Sequence, residues 1–180
     1  ATPTQDGWDQ VHDPKTDRPD AQECFRSLRA VNITMKLELP SSIWRAIVEH
    51  MRTALPAEGC GLLAVPTVAT AVVRAVRFYP GTNILRSPTR FTMHPREVQA
   101  ALDDMERHGW QLGAIVHSHP TSSPSPSPID LREAYYPNAL MVIVSLGGDR
   151  LMVQAWRLDR NGRTFDPVAV PIVVVEVGEM

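Results

Sequence analysis

"QLGAIVHSHPTSSPSPSPIDLREAYY", residues 111–136, joins three kinds of segment, and its reading decides how the rest of the chain is arranged. Gln111–His119 is an apolar stretch that predicts a buried strand. The serine–proline stretch that follows carries Pro120, Pro124, Pro126 and Pro128. Proline removes a backbone donor, so this stretch predicts a loop. "PIDLREAYY" predicts a short helix. Ser127 is a good N-cap, Pro128 suits the first helical position, and Asp130 favours the positive helix end. Within a strand, side chains at i and i+2 leave the same face, so His117 and His119 can converge on one point.

Working outward, the chain alternates between helical and extended patterns. Lys36–Leu39 reads as a short strand. A helix follows, capped by Ser41 or Ser42, with Ile43, Ile47, Val48, Met51 and Leu55 at helical spacing and Pro56 as its stop. "GCGLLAV" and "TAVVRAVRFY" predict two neighbouring strands, and "TRFTM" a further short one. "HPREVQAALDDMERHG" is a strong helix pattern, with Pro95 in the first turn, Val98, Ala101, Leu102 and Met105 as its apolar stripe and Gly109 as stop. "ALMVIVSL" is continuously apolar and predicts a central strand covered on both faces. "RLMVQAWRL", a "DRNG" hairpin turn and "RTFDPVAVPIVVV" complete the pattern. The expectation is an α/β sandwich, a mixed sheet flanked by about three helices.

Composition bounds the function. The 180 residues are 43% hydrophobic and 21% charged, enough for one domain with a real core. A formal charge of -2 gives no basic surplus for nucleic acid or an anionic membrane. The longest apolar run, "VAVPIVVVEV", is too short for a membrane span and is broken by Pro171. No secretory signal pattern is seen, and two cysteines, Cys24 and Cys60, are too few for a disulfide framework, so a reducing cytoplasm is expected. Residues 1–34 hold six acids against four bases with three prolines and little periodicity, which reads as an N-terminal arm. Met35 is an expected native start, with Trp8 and Phe25 as anchors for the arm if it is ordered. An ordered arm would cover a groove or exchange with a neighbouring chain, making the protein a homodimer.

Zinc in catalytic sites takes three protein ligands and keeps a fourth position for water. Asp130 is the natural third ligand beside His117 and His119. Four prolines in residues 120–128 restrict the unfolded loop as well as the folded one, so holding Asp130 against the histidines costs less entropy than in a glycine–serine linker. A structural reading explains the same fragment equally well. His-x-His alone is a weak signal, a Ser/Pro loop is ordinarily a linker, and Asp130 needs no metal to sit in a capped first turn. The two readings are compatible, although one Ser127 hydroxyl would not serve cap and substrate equally well.

"HSHP", six residues, Ser127, two residues and Asp130 resemble the signature of the JAMM (MPN-plus) metalloproteases. The family also carries a glutamate far upstream, and "PAEGCGLLAV" supplies Glu58 as the match. The resemblance covers about residues 36–160; its compactness and "EGCGLL" are most similar to bacterial and archaeal stand-alone members. It implies a cytidine-deaminase-like MPN sandwich, with residues 35–180 as catalytic domain and the arm outside it. It implies one Zn²⁺ per chain on His117, His119 and Asp130, with Glu58 as general acid/base and Ser127 as donor to the tetrahedral oxyanion. Asn83 resembles a position near the substrate groove. Read alone, Glu58 would be a solvated turn residue. Cys60 is a thiolate candidate but reads better as a small buried residue. The remaining histidines (His12, His50, His94, His108) read as surface residues; Met93, Met105, Met141 and Met152 read as core. Tyr135 and Tyr136 are expected to pack beneath the metal.

The implied activity is hydrolysis of the peptide or isopeptide bond after the C-terminal Gly-Gly of a ubiquitin-like or sulfur-carrier protein. The alternative is a sulfur-carrier–amino-acid (cysteine) hydrolase in amino-acid or cofactor biosynthesis. A non-catalytic MPN scaffold ranks below both because every ligand position is filled. A two-metal phosphoesterase ranks lower still, for want of further ligands.

Overall fold

The computed structural model describes residues 35–66 and 71–176; the arm, with Trp8, Cys24 and Phe25, lies outside the described residues. The element order is β1 (Lys36–Pro40), α1 (Ser41–Thr53), β2 (Cys60–Pro66), β3 (Val72–Arg74), β4 (Arg77–Gly81), α2 (Pro95–Arg107), β5 (Trp110–His119), α3 (Pro128–Arg132), β6 (Leu140–Ser145), β7 (Met152–Asn161), β8 (Thr164–Val170) and β9 (Ile172–Val175). Six strands form a sheet in the order β4-β2-β5-β6-β7-β8, in which only β5 and β6 run parallel. A second sheet, β3-β1-β9, is parallel throughout. This is the mixed α/β architecture with three helices that the sequence led us to expect.

Two apolar runs that read as single strands are each divided between the sheets. In "TAVVRAVRFY" the backbone changes partner between adjacent residues: the Ala75 amide donates to Glu38 O in β1 and the Val76 amide to Ala64 O in β2, both at 2.9 Å. At the other end, Pro171 separates β8 from β9; it offers no N–H, and its carbonyl accepts from Leu37 of β1. Residues 89–93, expected as a strand, make only a single bridge between Met93 and Asn83. The start of α1 also differs from expectation. Pro40 occupies the N-cap with no side-chain hydrogen bond, because β1 runs directly into the helix, and Ser41 Oγ instead donates to Glu176 at 2.8 Å.

The six-stranded sheet is covered on both faces, which is why β6 is buried at every position. On one face Leu63, Val65, Val116, Val142 and Val144 pack with Leu37, Leu39, Ile47 and Met51 of β1 and α1. On the other, Cys60, Leu62 and Ala64 meet Ala101 and Met105 of α2, while Met141 and Ile143 meet Leu131 from α3. Met152, expected in the core, is 47% exposed because it opens β7 beyond the reach of either layer. No described helix is long and apolar enough to cross a membrane.

Candidate metal centre

The site is built where β2 and β5 pair. Their antiparallel register sets Cys60 opposite His117. One residue before the strand the contact passes partly to a side chain: Gly59 N donates to Ser118 Oγ at 2.8 Å, and Ser118 N donates to Gly59 O at 3.0 Å. Glu58, the next residue out, lies near enough to His119 for their charges to interact. Alternation then puts Glu58, Cys60, His117 and His119 on one face, the face that carries α2 and α3. Ser118 points the other way, fully buried.

The loop from His119 to Asp130 is pinned at consecutive residues. Ser145 Oγ donates to Ser122 O at 2.6 Å, His119 Nδ1 bonds Ser123 O at 2.7 Å, and Trp156 Nε1 donates to Pro124 O at 2.8 Å. Sequence reasoning missed these anchors, since a serine or tryptophan inside a strand carries no signal of what it will meet across the sheet. The loop delivers Asp130 in the first turn of α3, where the capping box is complete. Ser127 Oγ accepts from Asp130 N at 3.2 Å, and Asp130 Oδ2 accepts from Ser127 N at 2.7 Å. The cap and the cluster therefore coexist on the same residues. The cap uses a lone pair of the Ser127 hydroxyl, which still has a hydrogen to donate.

His117 Nε2 and His119 Nε2 lie 3.2 Å apart, and each is 3.4 Å from an oxygen of Asp130. Among the described residues, these three form the His/Cys/Asp/Glu cluster able to hold a metal, and all three are buried. The fit to zinc can be checked geometrically. Tetrahedral bonds of about 2.0–2.1 Å place ligand atoms about 3.3–3.4 Å apart, close to the separations seen. The donor set also fits. The Ser123 carbonyl takes the Nδ1 hydrogen of His119, which frees Nε2 as a ligand atom. His117 is oriented by stacking on Phe91, with ring centroids 4.8 Å apart, and its Nδ1 has no hydrogen-bond partner among the described residues. Burial holds the His117 pKa below its ordinary value, in the neutral form a ligand requires. Burial alone would raise the Asp130 pKa, but hydrogen bonds to both imidazoles and to Ser127 hold it well below the usual carboxylate range.

Glu58 is 3% exposed, and its Oε2 has no hydrogen-bond partner among the described residues. Burial, reinforced by the charge of Asp130 and opposed by His119, pushes its pKa up to about 7. It is therefore not the solvated turn residue that its place after a helix suggests. Gly59 allows α1 to pack directly behind it: a Cβ there would lie 2.7 Å from Met51 Sδ and 3.1 Å from Met51 Cα. Cys60 is fully buried, bonds Gly81 O, and has its thiol pKa pushed up to about 12 by desolvation, so it behaves as core.

Asn83 is placed beside Glu58, but its amide is already engaged. Nδ2 donates to Glu58 O at 3.0 Å and Arg90 O at 3.1 Å; Oδ1 accepts from Leu85 N and Thr92 N. The loop from Thr82 to Thr92 is further tied to α2 through Glu97, which accepts from Thr82, and to the end of α3 by a paired Arg90–Glu133 contact. An apolar cavity of about 470 Å³ opens between this loop, α2 and α3, with Phe91, Leu102, Ile115 and Met141 in its wall and Asp130 at its end. Tyr135 and Tyr136, expected beneath the metal, are 79% and 45% exposed at its rim, because α3 ends at Arg132 before it can carry them inward. His50 departs from its surface reading: it is half-buried, with Nε2 between the carbonyls of Cys60 and Gly81. His94 caps α2, and His108 is exposed.

A covered mixed sheet carrying a buried His-His-Asp cluster opposite a glutamate is the arrangement of a metallohydrolase. Residues 40–159 match the family described as prokaryotic homologs of the JAB domain. The chain is 31% identical over 129 residues to a desampylase of Haloferax volcanii, covering 69% of this chain and 90% of that protein. It is 32% identical over 135 residues to a CysO-cysteine peptidase of Mycobacterium tuberculosis, covering 74% and 90%. Among solved structures, a Desulfitobacterium hafniense protein superposes with a TM-score of 0.68 at 30% identity, covering 78% of this chain and 94% of the other. The chain belongs to the prokaryotic homologs of the JAB domain, the stand-alone prokaryotic branch of the JAMM/MPN family. That family is in general zinc-dependent.

Proposed function

We propose that this protein is a zinc-dependent peptidase that hydrolyses the bond after the C-terminal Gly-Gly of a small ubiquitin-like or sulfur-carrier protein. The observation that carries this reading is the buried carboxyl of Glu58, without a hydrogen bond at Oε2, set across from three converging donor residues. His117, His119 and Asp130 would hold the zinc. When bound there, zinc supplies a Lewis acid that polarises the scissile carbonyl and acidifies a water.

The chain's own residues account for the proton movements. Glu58 takes a proton from the water as its oxygen bonds to the carbonyl carbon. It returns that proton to the leaving nitrogen as the C–N bond breaks, releasing a free amine and a glycine carboxyl group, which ionises by giving up the water's second proton. Burial raises the Glu58 carboxyl to about 7 in the metal-free site; a bound cation would lower it, leaving the carboxylate free to accept a proton near neutral pH. Ser127 directs its remaining hydrogen at the oxyanion while its lone pair holds the cap on Asp130. Half-buried Phe91, stacked on the fully buried His117 ring, helps keep bulk water from it.

Two leaving groups fit the same chemistry: a protein lysine, favoured by the desampylase relative, and free cysteine, favoured by the CysO-cysteine peptidase relative. The test is to incubate the zinc-loaded enzyme with a Gly-Gly-terminated sulfur carrier joined either to a lysine side chain or to cysteine, and to follow product masses. Cleavage after the second glycine of at least one adduct is expected, with one zinc per chain by elemental analysis. Failure on both adducts by protein carrying one zinc would overturn the reading.

A further inference from the structure

We infer that Asn83 and Ser118 are positioning residues for Glu58, gripping the backbone around it from opposite sides; this rests on the general-base reading above. Glu58 lies two residues before β2, where the regular ladder has ended, and its Oε2 is held by no hydrogen bond among the described residues. Its aim must therefore come from its main chain.

That main chain is anchored at every polar atom. Glu58 N donates to Ser87 O at 2.9 Å, and Glu58 O accepts from Asn83 Nδ2 at 3.0 Å. The next peptide is anchored on the other side, where Gly59 N meets Ser118 Oγ and Gly59 O meets Ser118 N. Ser118 stands between His117 and His119, so the peptide after Glu58 is fastened to the residue that separates two of the three donor residues. Asn83 is 8% exposed and uses both amide hydrogens and its oxygen, the latter for two backbone donors. Nothing of it remains to bind substrate. The amide instead makes the loop from Asn83 to Thr92 and the Glu58 peptide one rigid unit.

Losing either grip leaves a buried backbone group without its partner and lets the carboxyl drift. A displacement of about 1 Å of a catalytic group costs on the order of 10²-fold in rate. Asn83→Ala is expected to lower kcat by about 10- to 100-fold with KM and zinc stoichiometry unchanged. Asn83→Asp keeps acceptors for Leu85 N and Thr92 N but cannot donate to Glu58 O, and should behave alike. Ser118→Ala removes only the Gly59 anchor, and Ser118→Thr, which restores the hydroxyl, should recover the rate.

The deciding experiment is a double-mutant cycle under single-turnover conditions, using the Gly-Gly carrier adduct that wild type cleaves. In a Glu58→Gln background, adding Asn83→Ala or Ser118→Ala should cost less than threefold, because no base is left to misplace. An undiminished further loss in that background, or a loss that falls on KM, would overturn the inference while the general-base reading stands. If Glu58→Gln alone leaves the rate intact, both readings fall together.

Discussion

Replacing Glu58 by glutamine tests the site through two quantities that move in opposite directions. The substitution keeps the side-chain shape and removes the ability to ionise. Burial raises the Glu58 pKa from an ordinary 4.5 to about 7. A raised acid binds its proton more tightly when folded, so its contribution to stability is complete below about pH 4.5. It declines as pH climbs and is gone above about pH 7. A shift of this size corresponds to about 3 kcal/mol, reduced to about 2 kcal/mol for residual solvent screening. Chelator-treated wild type and Glu58→Gln should therefore unfold in urea with similar stability at pH 4.5. By pH 8 the variant should be the more stable by about 2 kcal/mol. On the Gly-Gly carrier adduct, the zinc-loaded variant should lose about 10²- to 10⁴-fold in kcat. A stability difference that ignores pH would show that the carboxyl is not desolvated as described. An unchanged kcat would remove it from the proton path.

Other perturbations separate the remaining roles. Asp130→Asn should abolish stoichiometric zinc by elemental analysis and also weaken the α3 cap; the same zinc content as wild type would exclude the residue as a ligand. Ser127→Ala should lower kcat by about 10²-fold and stability by about 1 kcal/mol, the first from the lost oxyanion donor and the second from the lost cap; urea titration and turnover together check both. Gly59→Ala should drive its methyl against Met51 and displace Glu58, lowering stability by about 1–3 kcal/mol and kcat with it, whereas wild-type values for both would show that α1 can move aside.

The legible parts of the protein were those written over short stretches. The α2 stripe, the buried β6 run and the strand–loop–helix of residues 111–136 each carry their own period, cap or proline, and each appears with only its ends adjusted. Where the chain divides between sheets, at Ala75–Val76 and at Pro171, the flanking residues are equally apolar, and which strand each amide meets is settled by the layers above and below. The site divides the same way. The spacing of His117, His119 and Asp130 is visible in one segment, whereas Ser118, Ser145 and Trp156 look like filler until their partners are known. Asn83 was expected near the substrate groove from resemblance; that its amide makes four hydrogen bonds to backbone groups is decided only by the folded chain.

By itself, the order of residues determined that two imidazoles would leave one face of a strand and that a stiff, capped segment would follow them, because side-chain alternation and proline stiffness are local properties. Tertiary structure alone decided that Glu58 would be buried, lie near His119 and have its pKa raised. Those outcomes depend on the register between two strands distant in the chain and on the helices that close over them, and a shift of one residue would have turned Glu58 to the other face of the sheet.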